Sequence, residues 1–348
     1  MTTKPLIYDL TLQELEQTFI AWGEKKFRAK QVWDGLYRQL WNTPAQFTNL
    51  SKGLRNKLDE HFRFSALEEA TVLYSSDKHT RKTMFYLPDR QAIEAVLMRY
   101  DKRRTLCIST QAGCAMGCVF CATGQMGFRR NLTSGEIVEQ VMYYARILQE
   151  GDEKVTNIVM MGMGEPFHNY DATMEAIDRL HDPTGYNLGA RRFTISTVGL
   201  IPAIRRFTKE MSQVNLAISL HAADDELRAS MLPINQRYPI ADLIAACRDY
   251  VDTTGRRVTF EWALVNDVND TPEQAHALGK LLKGMICHVN AIPLNPTTGY
   301  DGAETTRERA NTFKAIVESY GISCTIRTRR GIDIQAGCGQ LAIEADPA

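Results

Sequence analysis

From residue 104 onward the chain repeats one pattern: an apolar run of strand length, a loop, then an amphipathic helical stretch. This repeat restricts the fold more than any other feature of the sequence. The strand-like runs are TLCIST, VTNIVMMG, RRFTIST, VNLAISLH, RVTFEWAL and HVNAIPL, separated by stretches such as SGEIVEQVMYYARILQE, PIADLIAACRDYVD and TPEQAHALGKLLKGM. Strands joined by helix-length crossovers pair in parallel, which implies βαβ units. Six units suit an open barrel better than a closed eight-fold one. The expected fold is therefore α/β, a partial (β/α)6 TIM-like barrel. A last strand-like run, SCTIRTR, leads into GIDIQAGCGQL.

The rest of the chain reads differently. LTLQELEQTFIAWGE, AKQVWDGLYRQLW and LSKGLRNKLDEHF have helical spacing, with Thr11 and Ser51 as N-caps, and define a small helical domain over 1–66. TVLYSS, TRKTMFYL and AIEAVLMRY read as short strands and define a β extension over 67–100, with the barrel and its C-terminal loop filling 101–348. The N-terminus is too acidic and too weakly apolar for a signal peptide, and no run is long enough to span a membrane. These features predict a cytoplasmic protein whose eight cysteines are thiols or metal ligands rather than structural disulfides. Formal net charge is zero, so global charge does not point to a nucleic-acid partner.

Unusual residues gather where the strands end: a cysteine loop after the first, GMGEP after the second, STVG on the third, SLH on the fourth and IPLNP on the sixth. Parallel α/β folds bind ligands at the C-terminal ends of their strands, so these stretches should converge on one cavity. The first of them, QAGCAMGCVFCATG, holds Cys114, Cys118 and Cys121 in a C-x3-C-x2-C array. A structural zinc site wants four ligands, with Cys107 as the available fourth. A [4Fe–4S] cube also normally takes four, and three would leave one iron open to a substrate. Buried, inert cysteines are the plainer alternative.

The C-x3-C-x2-C spacing, with Phe120 before its last cysteine, resembles the radical S-adenosylmethionine (SAM) superfamily. CISTQAGCAMGCVFCATGQMGFRRNL, MGMGEP, ISTVG, NLAISLHA, LPIN, IPLNP and GIDIQAGCGQL together resemble the RlmN family of adenine-C2 RNA methyltransferases along essentially the whole chain. The resemblance implies a [4Fe–4S] cluster on Cys114, Cys118 and Cys121. It implies SAM, two per turnover, bound by Gly164, Glu165, Ser196, Ser219, Leu220, His221 and Asn295. It further implies Cys338 as the methyl-carrying cysteine, Cys107 as the resolving cysteine that pairs transiently with it, and Glu94 as the proton acceptor. Adenine C2 is an electrophilic aromatic carbon with no lone pair to attack a sulfonium methyl, which explains why a sulfur must carry the methyl and a radical must deliver it. Implied substrates are 23S ribosomal RNA at the peptidyl-transferase centre and transfer RNA beside the anticodon. An electron donor such as flavodoxin or ferredoxin is also implied, with the chain acting as a monomer.

Read without the resemblance, Glu94 is a lone carboxylate in an apolar strand and needs either a salt-bridge partner or a catalytic role. Basic clusters recur at Lys25, Lys26, Arg28 and Lys30, at Lys102–Arg104, and at Arg129 and Arg130. Others lie at Arg191 and Arg192, at Arg205 and Arg206, and at Arg327, Arg329 and Arg330. Most such charges are simply solvated, and Arg129 and Arg130, just beyond the cysteine loop, are the best candidates for phosphate contacts. The nearest alternative is the C8-methylating sibling family, Cfr, against which Pro166 after Glu165 argues. A radical SAM activase or sulfur-inserting enzyme would not need the Cys107 and Cys338 pair. A non-enzymatic metal-binding RNA-binding protein is the more distant reading.

Overall fold

The computed structural model describes residues 4–342. Twelve strands form among these residues: β1 (Glu68–Tyr74), β2 (Thr80–Tyr86), β3 (Ala92–Arg99), β4 (Arg104–Cys107), β5 (Gln111–Gly113) and β6 (Phe128–Asn131), then β7 (Asn157–Met160), β8 (Phe193–Thr197), β9 (Asn215–Ser219), β10 (Val258–Leu264), β11 (Cys287–Pro293) and β12 (Ser323–Ile326). Ten of them make one sheet in the order β1-β2-β3-β4-β7-β8-β9-β10-β11-β12, while β5 and β6 form a separate hairpin. The strands from β4 through β12 in that sheet pair in parallel. Each of the six runs read as a parallel strand is one, and SCTIRTR supplies a seventh. Among the described residues β12 does not pair back onto β4, so the barrel stays open.

The β-rich stretch before the barrel joins the barrel sheet. β1, β2 and β3 form an antiparallel meander whose last strand pairs with β4, continuing the barrel sheet edge-on. The cysteine array is likewise not a bare loop after β4: it is carried between the arms of the β5–β6 hairpin.

Polar and apolar residues alternate along the parallel strands, and the two sets face opposite ways. Ile158, Phe193, Ile195, Leu216, Ile218, Val258, Phe260 and Val289 are completely buried against the surrounding helices. Thr194, Ser196, Asn215, Ser219, Thr259, His288 and Asn290 face the other way and keep partial exposure. Registers match Thr194 with Asn215, Thr259 with His288, and Glu261 with both Ser219 and Asn290, so this polar set shares the inner face. Fully covered parallel strands read as unbroken apolar runs. The alternation here produces an open barrel with a polar lumen.

In the N-terminal region the helices Leu12–Ala21 and Lys52–His61 start where the caps predict. Thr11 accepts the Glu14 N–H and Glu14 closes the reciprocal half of a capping box; Ser51 accepts the Leu54 N–H. This region is tied to the barrel by a polar staple. Arg179 donates to the carbonyls of Tyr8 and Asp9 and to Ser134 Oγ, while Asp9 Oδ1 accepts the Gly135 N–H at 2.8 Å at the start of the helix Ser134–Gln149. No helix among the described residues is long and apolar enough to cross a membrane.

Candidate active site

The strand-end motifs do converge. A cavity of about 140 Å³ is lined by Cys114, Cys118 and Cys121 on one wall. Gly164, Glu165, Ser196, Ser219 and His221 lie around the strand ends, and Asn295 and Cys338 complete the lining, with Gly339 against Cys121. The three loop cysteines share that wall without closing around a single ion: no three described His, Cys, Asp or Glu side chains converge tightly enough for that. Leu220 is the exception among the cavity residues read from the sequence. Its side chain is completely buried outside the lining, and its backbone N–H donates to the Glu261 carbonyl.

Each wall residue is fixed by its own local chemistry. Gly164 has φ +100°, and a Cβ there would stand 2.5 Å from the Gln111 Cβ, so only glycine lets the second strand-end loop turn so close to β5. Glu165 is buried, and its carboxylate accepts the Phe167 and Val198 N–H groups, each at 2.9 Å. Burial outweighs these bonds and pushes the carboxyl up to about 7. The Ser196 and Ser219 hydroxyls stand 3.5 Å apart. His221 sits at φ +59°, and its Nδ1 faces the Ala263 N–H at 2.9 Å. Nδ1 must therefore accept, which places the proton of the neutral ring on Nε2. Burial, aided by Arg228, drives this imidazole down to about 3.

The C-terminal loop is docked over the cavity. The Ala122 N–H donates to the Gly339 carbonyl, Thr123 Oγ1 to the Leu341 carbonyl, and Asn295 Nδ2 to the Cys338 carbonyl at 2.9 Å. Cys338 is exposed as a residue and lines the cavity, and the protein packed around its thiol raises it to about 11. Cys107, at the end of β4, is not in the lining. Burial pushes its thiol up to about 12, Cys338 adds to that rise, and Arg327 opposes it. Cys338, and none of the three loop cysteines, acts on the Cys107 thiol, while Cys338 itself is raised further by Glu261 and by the loop cysteine Cys121. Arg327, read from the sequence as one of a basic cluster, acts instead as a cation beside both thiols.

Glu94 on β3 lies behind the lining and is buried. Its Oε1 forms a 3.0 Å ion pair with Lys82 Nζ, and Lys82 in turn donates to the Gln335 carbonyl in the C-terminal loop. Glu94 and Cys107 face the same way, because Val96, two residues on from Glu94, is the register partner of Cys107.

Two site residues have no counterpart in the sequence reading. Glu261 on β10 is buried in the cavity wall, accepts from Asn290 Nδ2 at 2.6 Å, and has its carboxyl pushed up by burial. Arg228 is completely buried behind the wall, where it donates to the carbonyls of Val198, Ser219 and Leu220 and to Asn235 Oδ1.

The donor set suits an iron–sulfur cluster with SAM beside it. Burial pushes the Cys114 thiol up to about 12 and Cys118 well above the ordinary thiol range, so thiolates on this wall require a compensating cation. Among the described residues, Asn295 Oδ1 is buried with no hydrogen bond, leaving an acceptor on the lining for a further donor.

The best-placed arginines of the basic clusters are partly neutralised. Arg130 bridges Asp89 and Glu136, Arg104 pairs with Glu153, and Arg206 pairs with Asp171 and Glu210. Their neighbours Arg103, Arg129 and Arg205 stay exposed.

Comparison with known proteins places these features in a family. Residues 108–279 match the model of the radical SAM superfamily, and residues 7–64 match that of the ribosomal RNA large subunit methyltransferase N-terminal domain. The chain is 49% identical over 339 residues to a dual-specificity RNA methyltransferase RlmN of Myxococcus xanthus, covering 97% of this chain and 94% of that protein. It is 49% identical to a probable RlmN of Chloroflexus aurantiacus, covering 97% and 92% of the two chains. The crystal structure of a radical SAM methyltransferase from Sphaerobacter thermophilus superposes with a TM-score of 0.95 at 51% identity, covering 97% of this chain and 99% of that one.

Proposed function

Because the chain belongs to the RlmN family of radical SAM methyltransferases, we propose that it methylates C2 of adenine in RNA, with 23S ribosomal RNA as a substrate and transfer RNA as a second one. The observation that carries this reading is the meeting of three loop thiols with a fourth, Cys338, in one cavity at the strand ends. Cys114, Cys118 and Cys121 would hold a [4Fe–4S] cluster that, with SAM bound, supplies one electron and a 5′-deoxyadenosyl radical able to abstract hydrogen from a methyl group.

The chain's own residues do the rest. Glu165 presents a buried carboxylate to the SAM ammonium, Gly164 admits close backbone approach, and the Ser196 and Ser219 hydroxyls and the open Asn295 oxygen orient the rest of the molecule. Cys338 carries the methyl carbon on its sulfur and delivers it to adenine C2, so RNA and protein are briefly one covalent species. Arg327 favours the thiolate of both Cys338 and Cys107. Cys107 then attacks the Cys338 sulfur: the S–S bond forms as the bond from that sulfur to the transferred carbon breaks. The bonding pair stays with the carbon, which takes up a proton to become the methyl group on C2. An external thiol or dithiol reductant returns the disulfide to two thiols. Glu94, kept beside Lys82, accepts the C2 proton.

The test is an anaerobic reaction of reconstituted protein with reductant, SAM and protein-free RNA fragments, followed by mass spectrometry of the nucleosides. The expected product is 2-methyladenosine. Finding 8-methyladenosine alone would transfer the chain's chemistry to the sibling reaction, and finding neither would reject methyl transfer to adenine.

A further inference from the structure

The open barrel has a second polar opening, at the end opposite the cavity. A cleft of about 640 Å³ is built from the starts of β8, β9 and β10 and is ringed by Arg191, Arg256 and Arg257. Arg191 Nη2 and Arg256 Nη1 donate to the same atom, Gln213 Oε1, at 3.1 and 3.0 Å, and Arg256 Nη2 donates to Asn215 Oδ1 at 3.0 Å. Two guanidiniums thus converge on one neutral amide oxygen. Arg191 and Arg257 are exposed, while Arg256 is half-buried. Among the described residues none of the three forms an ion pair, unlike Arg104, Arg130, Arg206 and Arg329, each of which faces a carboxylate.

Like charges held this close repel, and an amide dipole offsets that repulsion far less than an anion would. The planar guanidinium fork matches phosphate oxygens two at a time. Thr194 and Thr259, both on the cleft wall, add hydroxyl donors. We propose that this lower mouth is a phosphate-binding site distinct from the catalytic cavity, with Arg191 and Arg256 as a pincer and Arg257 as a third cation. Its ligand is a phosphoryl oxyanion, supplied either by a free pyrophosphate-bearing small molecule or by a backbone phosphate of the bound RNA. The site does not depend on the cluster or on SAM.

The test uses inorganic pyrophosphate and an RNA fragment as probes, at fixed ionic strength, on full-length protein. The variants are Arg191→Gln, Arg257→Gln and Arg256→Lys, which keeps the charge but loses the fork. Arg205→Gln, exposed on the helix Ile201–Lys209 and outside the cleft lining, is the control. Saturable pyrophosphate binding that weakens about tenfold or more in Arg191→Gln and Arg256→Lys, but not in Arg205→Gln, supports the site. If RNA supplies the phosphate, Arg191→Gln also lowers RNA affinity and reduces its salt dependence by about one counterion. If the ligand is a small molecule, RNA affinity stays the same while pyrophosphate binding is lost. No saturable pyrophosphate binding, together with unchanged RNA affinity in all three variants, would overturn the proposal.

Discussion

Replacing Cys338 with alanine is expected to reduce RNA methylation by roughly 10⁴-fold or more, the scale seen when the nucleophile of a covalent mechanism is removed. Folding should barely register the change. Cys338 is exposed, and among the described residues its one hydrogen bond is accepted by its backbone carbonyl, which alanine keeps. A shift in stability below about 1 kcal/mol is expected for such a position. Cys107→Ala should fail differently, because a resolving thiol acts after the carbon has been delivered. In that variant RNA should stay attached to Cys338 and run as a slow band on a denaturing gel, and the band should vanish in the double variant. Nucleoside analysis and the gel shift together check both outcomes. Full turnover by Cys338→Ala would reject the methyl-carrier role, whatever happened with Cys107.

Arg228→Met should cost stability and function together. The side chain of Arg228 is completely buried and donates to four acceptors: the Val198 carbonyl at 2.7 Å, Asn235 Oδ1 at 2.8 Å, and the Leu220 and Ser219 carbonyls at 3.1 and 3.2 Å. Those carbonyls belong to the chain just after β8 and at the end of β9, so one guanidinium sets the spacing of two strand-end segments that line the cavity. Methionine matches the volume and leaves the acceptors unpaired, at about 1–3 kcal/mol for each buried group that cannot reach water. The net loss should be about 3–5 kcal/mol, read as a lowered denaturant midpoint. Arg228→Lys should recover little of this, because one ammonium cannot span four acceptors held in a fork. A loss under 1 kcal/mol would mean that the two segments hold their shape without it.

Much of this site can be read from the sequence because its residues sit at strand ends, and strand ends are marked by the change from apolar run to Gly-rich or polar loop. Cys114, Cys118, Cys121, Gly164, Glu165, Ser196, Ser219, His221 and Asn295 all lie in stretches marked in this way and line the cavity, whereas the choice of these residues within the stretches comes from the family resemblance. Glu261 was within reach of the same reasoning that singled out Glu94, since it too is a lone carboxylate in an apolar run, VTFEWAL. Arg228 was not. DDELRASM reads as the solvated face of a short helix, and only the tertiary fold brings its guanidinium under two loops. The position of Cys338 over the cavity is equally absent from spacing, because it depends on the C-terminal loop folding back over the mouth of the barrel. The Lys82 partner of Glu94 comes from antiparallel pairing of β2 with β3, a register that the strand pattern alone leaves open. Among the basic clusters, sequence supplies the positive charges but not the carboxylates that Arg104, Arg130 and Arg206 meet in space.

The proposed methyl transfer requires a cluster held by three protein sulfurs, with its fourth iron left for SAM. Mössbauer spectroscopy of oxygen-free, iron-57-reconstituted protein, recorded before and after SAM is added, tests this most directly. Four irons per chain are expected, one of which changes its isomer shift when SAM binds while the other three do not. A colourless zinc protein, or four irons that ignore SAM, would contradict it.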